Sequence, residues 1–168
     1  MKDSHGLPAR EPASTALLSQ RNPPHRILVV DDDTGIRQSS AEVLIRSGYE
    51  VDAAEDGAVA WQALNAASYD LLITDHNMPK VTGVELLKKL RAARMDLPVI
   101  LVTGALPQEE FTRYPWLQPA ATLLKPFFPD ELLGTVQEVL RATDYAREPI
   151  APLTGSQSQP SADRLQLL

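Results

Sequence analysis

The stretch Ile27-Leu28-Val29-Val30-Asp31-Asp32-Asp33 decides how this chain is read. Four apolar, mostly β-branched residues end abruptly in three carboxylates. A short apolar run bounded by polar residues reads as a strand buried on both faces, as in a parallel sheet. Open sheets of that kind bind ligands beyond the carboxyl ends of their strands, where the acids here fall. Two further runs end the same way: Leu71-Leu72-Ile73-Thr74 meets Asp75, and Leu123-Leu124 meets Lys125. Charged groups at those ends point to a site and not to a core.

Outward from these runs, strand and helix patterns alternate five times. Ile27–Val30 precedes a helical stretch over 34–47, with Ile36, Val43 and Leu44 at helical spacing and Gly48 as its stop. Residues 50–54 form a second strand and 56–66 a helix bearing Trp61 and Leu64. Residues 71–74 form a third strand, followed by a helix over 83–93 with Val84, Leu86, Leu87 and Leu90 on its apolar face. Residues 99–102 and 122–124 complete the strands, and 129–142 closes the fold as a helix with Leu132, Leu133, Val136, Val139 and Leu140 inward. This order predicts an α/β fold with a parallel sheet, right-handed crossovers and helices on both faces. The stretch 107–119 is the exception: Pro115 and Pro119 interrupt it, and a short or irregular fourth helix is expected there.

The 168 residues suit one domain of about 100 to 150 residues with tails. The Pro-rich, polar segments 1–24 and 144–168 are expected to be disordered tails around a domain at 25–143. There is no cysteine, which removes disulfides and thiolate chemistry and suits a reducing, cytoplasmic setting. No run approaches a membrane span of roughly 18 apolar residues, and the start lacks the apolar core of a signal peptide. With 16 Lys and Arg against 22 Asp and Glu, net −6, the chain has no basic stripe for nucleic-acid phosphates.

If the strands end together, Asp31, Asp32 and Asp75 converge. Three such carboxylates repel unless a hard divalent cation such as Mg²⁺ intervenes. Asp31-Asp32-Asp33 reads equally well as a helix N-cap cluster when taken alone. Lys125, a plain strand-end lysine in isolation, can pair with Asp75 at rest and with a phosphoryl oxygen afterwards. Pro126 leaves a cis Lys125-Pro126 bond open. Thr103, at the end of the fourth run beside Gly104, reads either as a hydroxyl offered to the same place or as a β-branched residue that merely suits a strand. His25 and His76 have no companions at ligand spacing and read as incidental.

Asp31-Asp32, Asp75-His76-Asn77-Met78-Pro79 with Gly83, Thr103-Gly104 and Lys125-Pro126-Phe127, in this order and at these separations, strongly resemble the receiver domain of two-component response regulators. The resemblance covers about 25–143 and implies a flavodoxin-like (βα)5 fold with strand order 2-1-3-4-5. It implies Asp75 as phosphoacceptor, and Asp31, Asp32, Asp75 and the backbone carbonyl of Asn77 as the Mg²⁺ site. Thr103 and Lys125 would contact the phosphoryl group. The implied phosphodonor is a histidine kinase or histidine phosphotransfer protein. A stand-alone regulator is expected, because the polar residues after Asp144 are too few for an effector module, with output through a protein partner. Catalysis would be limited to its own phosphoryl transfer and dephosphorylation.

One departure stands out. Where these domains usually carry Tyr or Phe three positions before the lysine, this chain has Thr122. That puts aromatic-coupled switching in doubt and, together with the proline-interrupted 107–119 stretch, suggests a remodelled output face, where Tyr114 and Trp116 read equally as an aromatic partner patch or as rings filling the space of a shortened helix. Two alternatives follow: a constitutive adaptor with uncoupled output, and a haloacid dehalogenase-type phosphatase. The latter needs Thr or Val at the position held by Gly35.

Overall fold

The computed structural model describes residues 24–147. Five strands, β1 (Arg26–Val30), β2 (Glu50–Ala54), β3 (Leu71–Asp75), β4 (Val99–Thr103) and β5 (Ala121–Leu124), alternate with α1 (Thr34–Arg46), α2 (Gly57–Ala66), α3 (Gly83–Ala92), α4 (Gln108–Arg113) and α5 (Pro129–Arg147). All strand pairs are parallel, in the order β2-β1-β3-β4-β5. This is the flavodoxin-like arrangement that the resemblance implies.

Alternate strand residues feed two apolar layers, because side chains point to opposite faces with period two. Leu28, Val30, Leu72 and Leu101 meet Leu64, Leu86, Leu87 and Leu90 on one face. Ile27, Val29, Ile73, Ile100 and Val102 meet Leu44, Leu132, Val136 and Leu140 on the other. Every residue of β3 and β4 is buried, which explains why those runs are apolar without alternation.

Helix ends follow local chemistry. The Asp33 carboxylate accepts from the Ile36 amide at 3.0 Å and caps α1. At the other end Gly48 takes φ +90°, while Tyr49 N–H donates to Leu44 and Gly48 N–H to Ile45. Those two bonds form the paired C-terminal closure that glycine permits. The expected irregularity is present: α4 spans six residues, and Pro115–Leu117 forms a single 3₁₀ turn.

The last helix differs from expectation. It runs to Arg147, so 144–147 continue α5 and are not tail. Asp144 accepts from His25 Nε2 at 3.2 Å and Arg147 lies 3.9 Å from Asp70, which tie the extra turn to the starts of β1 and β3. His25 is therefore a structural partner and not incidental. The other tail residues, 1–23 and 148–168, lie outside the described residues.

Candidate functional site

Register brings the strand ends level. Val30 pairs with Thr74, Asp75 with Val102, and Thr103 with Leu124, so the next residues along, Asp31 and Lys125, project at the same edge as Asp75 and Thr103. Asp31, Asp32 and Asp75 each bring a carboxylate oxygen within 4.8 Å of the others. Asp31 and Asp75 are buried, while Asp32 faces solvent. An all-oxygen donor set with one open side fits a hard cation that keeps several waters. Asn77 sits on the loop after β3, two residues beyond Asp75 and exposed.

Lys125 closes the group from the far side. Its Nζ donates to Asp31 Oδ2 at 2.8 Å and lies 3.0 Å from Asp75 Oδ1, so it bridges both acids instead of pairing with Asp75 alone. The Lys125-Pro126 peptide is cis. Burial alone would lower the lysine's pKa, but the hydrogen bonds to Asp31 and Asp75 outweigh it and hold the ammonium above its usual value. Burial dominates at Asp31, pushing its carboxyl above the usual range despite the lysine's hydrogen bond. A cation placed there would relieve that cost.

Two donors fix Asp31 from its own side: Asp33 N–H reaches its Oδ1 at 2.8 Å, and Arg37 Nη1 reaches its backbone carbonyl at 2.6 Å. Thr103 is fully buried, and its hydroxyl donates to the Ala105 carbonyl at 2.7 Å. Thr122 is half-buried on β5 beside Leu101, so no ring occupies that position. Nδ1 of His76 is buried and has no hydrogen-bond partner among the described residues.

Sequence reading missed a second acid–lysine pair beside the first. Lys80 Nζ lies 2.5 Å from Asp56 Oδ2, and the other Asp56 oxygen caps α2 by accepting from Ala58 and Val59 at 2.8 Å each. Asp followed by Gly at a helix start was a signal for the cap. Nothing in the sequence connected it to Lys80.

The response regulator receiver domain model matches residues 27–137. The chain is 36% identical over 131 residues to the response regulator MprA of Mycobacterium sp. (strain KMS), covering 77% of this chain and 56% of that protein. It is 35% identical over 123 residues to the alkaline phosphatase synthesis transcriptional regulatory protein PhoP of Bacillus subtilis, covering 72% and 50%. The chain thus spans about half the length of these curated relatives. Among solved structures it is similar to the chemotaxis response regulator CheY4 of Vibrio cholerae, with 34% identity, a TM-score of 0.64 and coverage of 70% and 99%. It is likewise similar to a CheY-like receiver domain protein from Methanospirillum hungatei, with 31% identity, a TM-score of 0.69 and coverage of 74% and 99%. Among the described residues no helix is long and apolar enough to cross a membrane. The matched span takes in all five strands but for Arg26, the first residue of β1, together with the acidic site at the sheet's edge, and the chain belongs to the response regulator receiver domain family.

Proposed function

We propose that the domain is a Mg²⁺-dependent phosphoacceptor switch, phosphorylated on Asp75 by a histidine kinase or histidine phosphotransfer protein, with output through protein contact. The observation that carries this reading is Lys125 bridging Asp31 and Asp75 inside a cluster of three carboxylates. The Asp31, Asp32 and Asp75 carboxylates and the Asn77 backbone carbonyl would hold Mg²⁺, whose chemistry when bound is to neutralise charge on the phosphoryl oxygens.

The remaining work falls to the chain's own groups. An Asp75 carboxylate oxygen attacks the phosphorus of a phosphohistidine; the P–O bond forms, the P–N bond breaks, and its electron pair leaves with the imidazole. Lys125 has three N–H donors and spends two on Asp31 and Asp75, so one is free for a phosphoryl oxygen. Turning the Thr103 hydroxyl toward the phosphoryl group gives up its bond to the Ala105 carbonyl and frees the loop into α4.

Incubation with phosphoramidate or acetyl phosphate and Mg²⁺, followed by intact mass, tests this. The expected result is a single added phosphate on the wild type, absent with EDTA and absent in Asp75→Asn. An unlabelled wild type would favour the adaptor, and steady phosphate release from phosphomonoesters would favour the phosphatase.

A further inference from the structure

The loop from His76 to Thr82 carries Asn77, and it does not stand on its own. Met78 N–H donates to His76, Val81 N–H to Pro79 and Gly83 N–H to His76, which curl the loop back on itself. Lys80 adopts φ +67°, a left-handed geometry uncommon for a residue with a side chain. That geometry accompanies the contact of its ammonium with Asp56, a carboxylate only 3% exposed. The neighbouring Gly57 is packed so closely that a Cβ there would stand 2.5 Å from the Val81 carbonyl oxygen. The loop is therefore strapped at residues 80–81 to the start of α2, three residues beyond Asn77.

We infer that the Lys80–Asp56 pair is a positioning device that holds the Asn77 carbonyl in place and thereby sets Mg²⁺ affinity. This rests on the reading of Asn77 as a metal ligand. The pair's value lies in placement more than in stability. Lys80 is 65% exposed, and without it the buried Asp56 carboxylate still accepts from the Ala58 and Val59 amides, so the pair adds little to folding. Partners that orient a metal's ligands, by contrast, change affinity by about ten- to a hundredfold when removed.

Calorimetric titration with Mg²⁺ alone, on the full chain and on Lys80→Ala, Lys80→Arg and Asp32→Asn, tests the inference. Lys80→Ala is expected to weaken Mg²⁺ binding roughly tenfold, while Lys80→Arg recovers most of the loss and the metal-free melting temperature hardly moves. Asp75 labelling in Lys80→Ala should return to the wild-type rate once Mg²⁺ is saturating. Wild-type binding with Lys80→Ala within twofold of it would overturn the strap and leave the acidic site standing. No binding by the wild type would overturn both.

Discussion

The connections that follow β3 and β4 start alike and end differently. Both strands are buried along their full length, and both lead into a helix over the same sheet edge. After β3, α3 has five buried residues and a reciprocal cap between Thr82 and Glu85. Its first residue, Gly83, lies so close to the strand that a Cβ would meet the Asp75 carbonyl oxygen at 2.4 Å. After β4, α4 has no buried residue and no side-chain cap, and a Cβ on Gly104 would meet nothing within 4 Å. The segment is nonetheless held by Lys88, which bonds Glu110 of α4 at 2.9 Å, by Phe111 and Tyr114 at the edge of the core, and by Leu117, fully buried against the α3 side of the sheet. At its near end it is held by the Thr103–Ala105 bond. One connection is locked beside Asp75 and the other is held at fewer points. That is the division of labour the proposed phosphorylation switch requires, since the least stable local element is the one that moves.

The far anchor gives the largest expected effect. Leu117→Ala removes a fully buried side chain and should cost about 2 to 5 kcal/mol in urea unfolding. If the two connections are independent, the folded variant still labels Asp75 at close to the wild-type rate. Gly83→Ala should cost about 1 to 3 kcal/mol by overpacking, and here labelling should fall with stability, because the displaced atom belongs to the Asp75 backbone. Equal labelling losses in both variants would erase the distinction.

Lys88 sharpens the comparison at a smaller scale. Its ammonium bonds Glu110 and lies 4.7 Å from the Tyr114 ring centroid, and Tyr114 meets Trp116 edge-on at 5.9 Å. Both ion-pair partners are partly exposed, so Lys88→Ala should cost at most about 1 kcal/mol. It should nonetheless shift Trp116 emission while leaving Asp75 labelling unchanged. The environment of Trp61, packed at the edge of the α2–α3 core, supplies the control and should be read in a Trp116→Phe background.

How much of this was visible in the sequence follows the same boundary. The strands were legible because burial on both faces leaves apolar runs, and Asp31, Asp75 and Lys125 were legible because they end those runs in charge, whereas Thr103, which suits a strand, was legible only through the family resemblance. The broken fourth helix was legible from Pro115 and Pro119. What stayed hidden depends on contacts between distant segments. His25 and Asp144 are 119 positions apart, and the last turn of α5 has no apolar periodicity to announce it. Lys80 reaches Asp56 from a left-handed backbone, which a lysine does not advertise.

That strap also carries a pH signature. The Lys80 hydrogen bond, joined by the helix-cap amides, holds the Asp56 carboxyl below its usual value of 3.8. A depressed carboxyl contributes stability above its unfolded value, and that contribution disappears as pH falls through the folded one. Lys80→Ala should therefore melt slightly below the wild type at neutral pH, and the two should converge in acid below the usual aspartate range. A gap that persisted there would mean that Lys80 acts through its stem and not through its charge, and no gap at neutral pH would mean that packing at Gly57 alone holds the loop.

The smallest expected effect is the most exacting test of the contrast. Gly104 follows the buried Thr103, at the hinge of the loosely held connection, in open space and without a positive φ. Gly104→Ala should change stability by less than about 0.5 kcal/mol, or raise it slightly by restricting the unfolded chain. The Thr103 hydroxyl bonds Ala105 across residue 104, however, so a turn of Thr103 toward the phosphoryl group releases residue 104 to change conformation, and alanine narrows the conformations available. The expected outcome is an unaltered melting temperature together with an unaltered initial rate of Asp75 labelling, but a smaller change in Trp116 emission on phosphorylation. A full emission change would place the hinge elsewhere in the loop. A loss of labelling would show that the connection after β4 is part of the rigid frame around Asp75, as the one after β3 is.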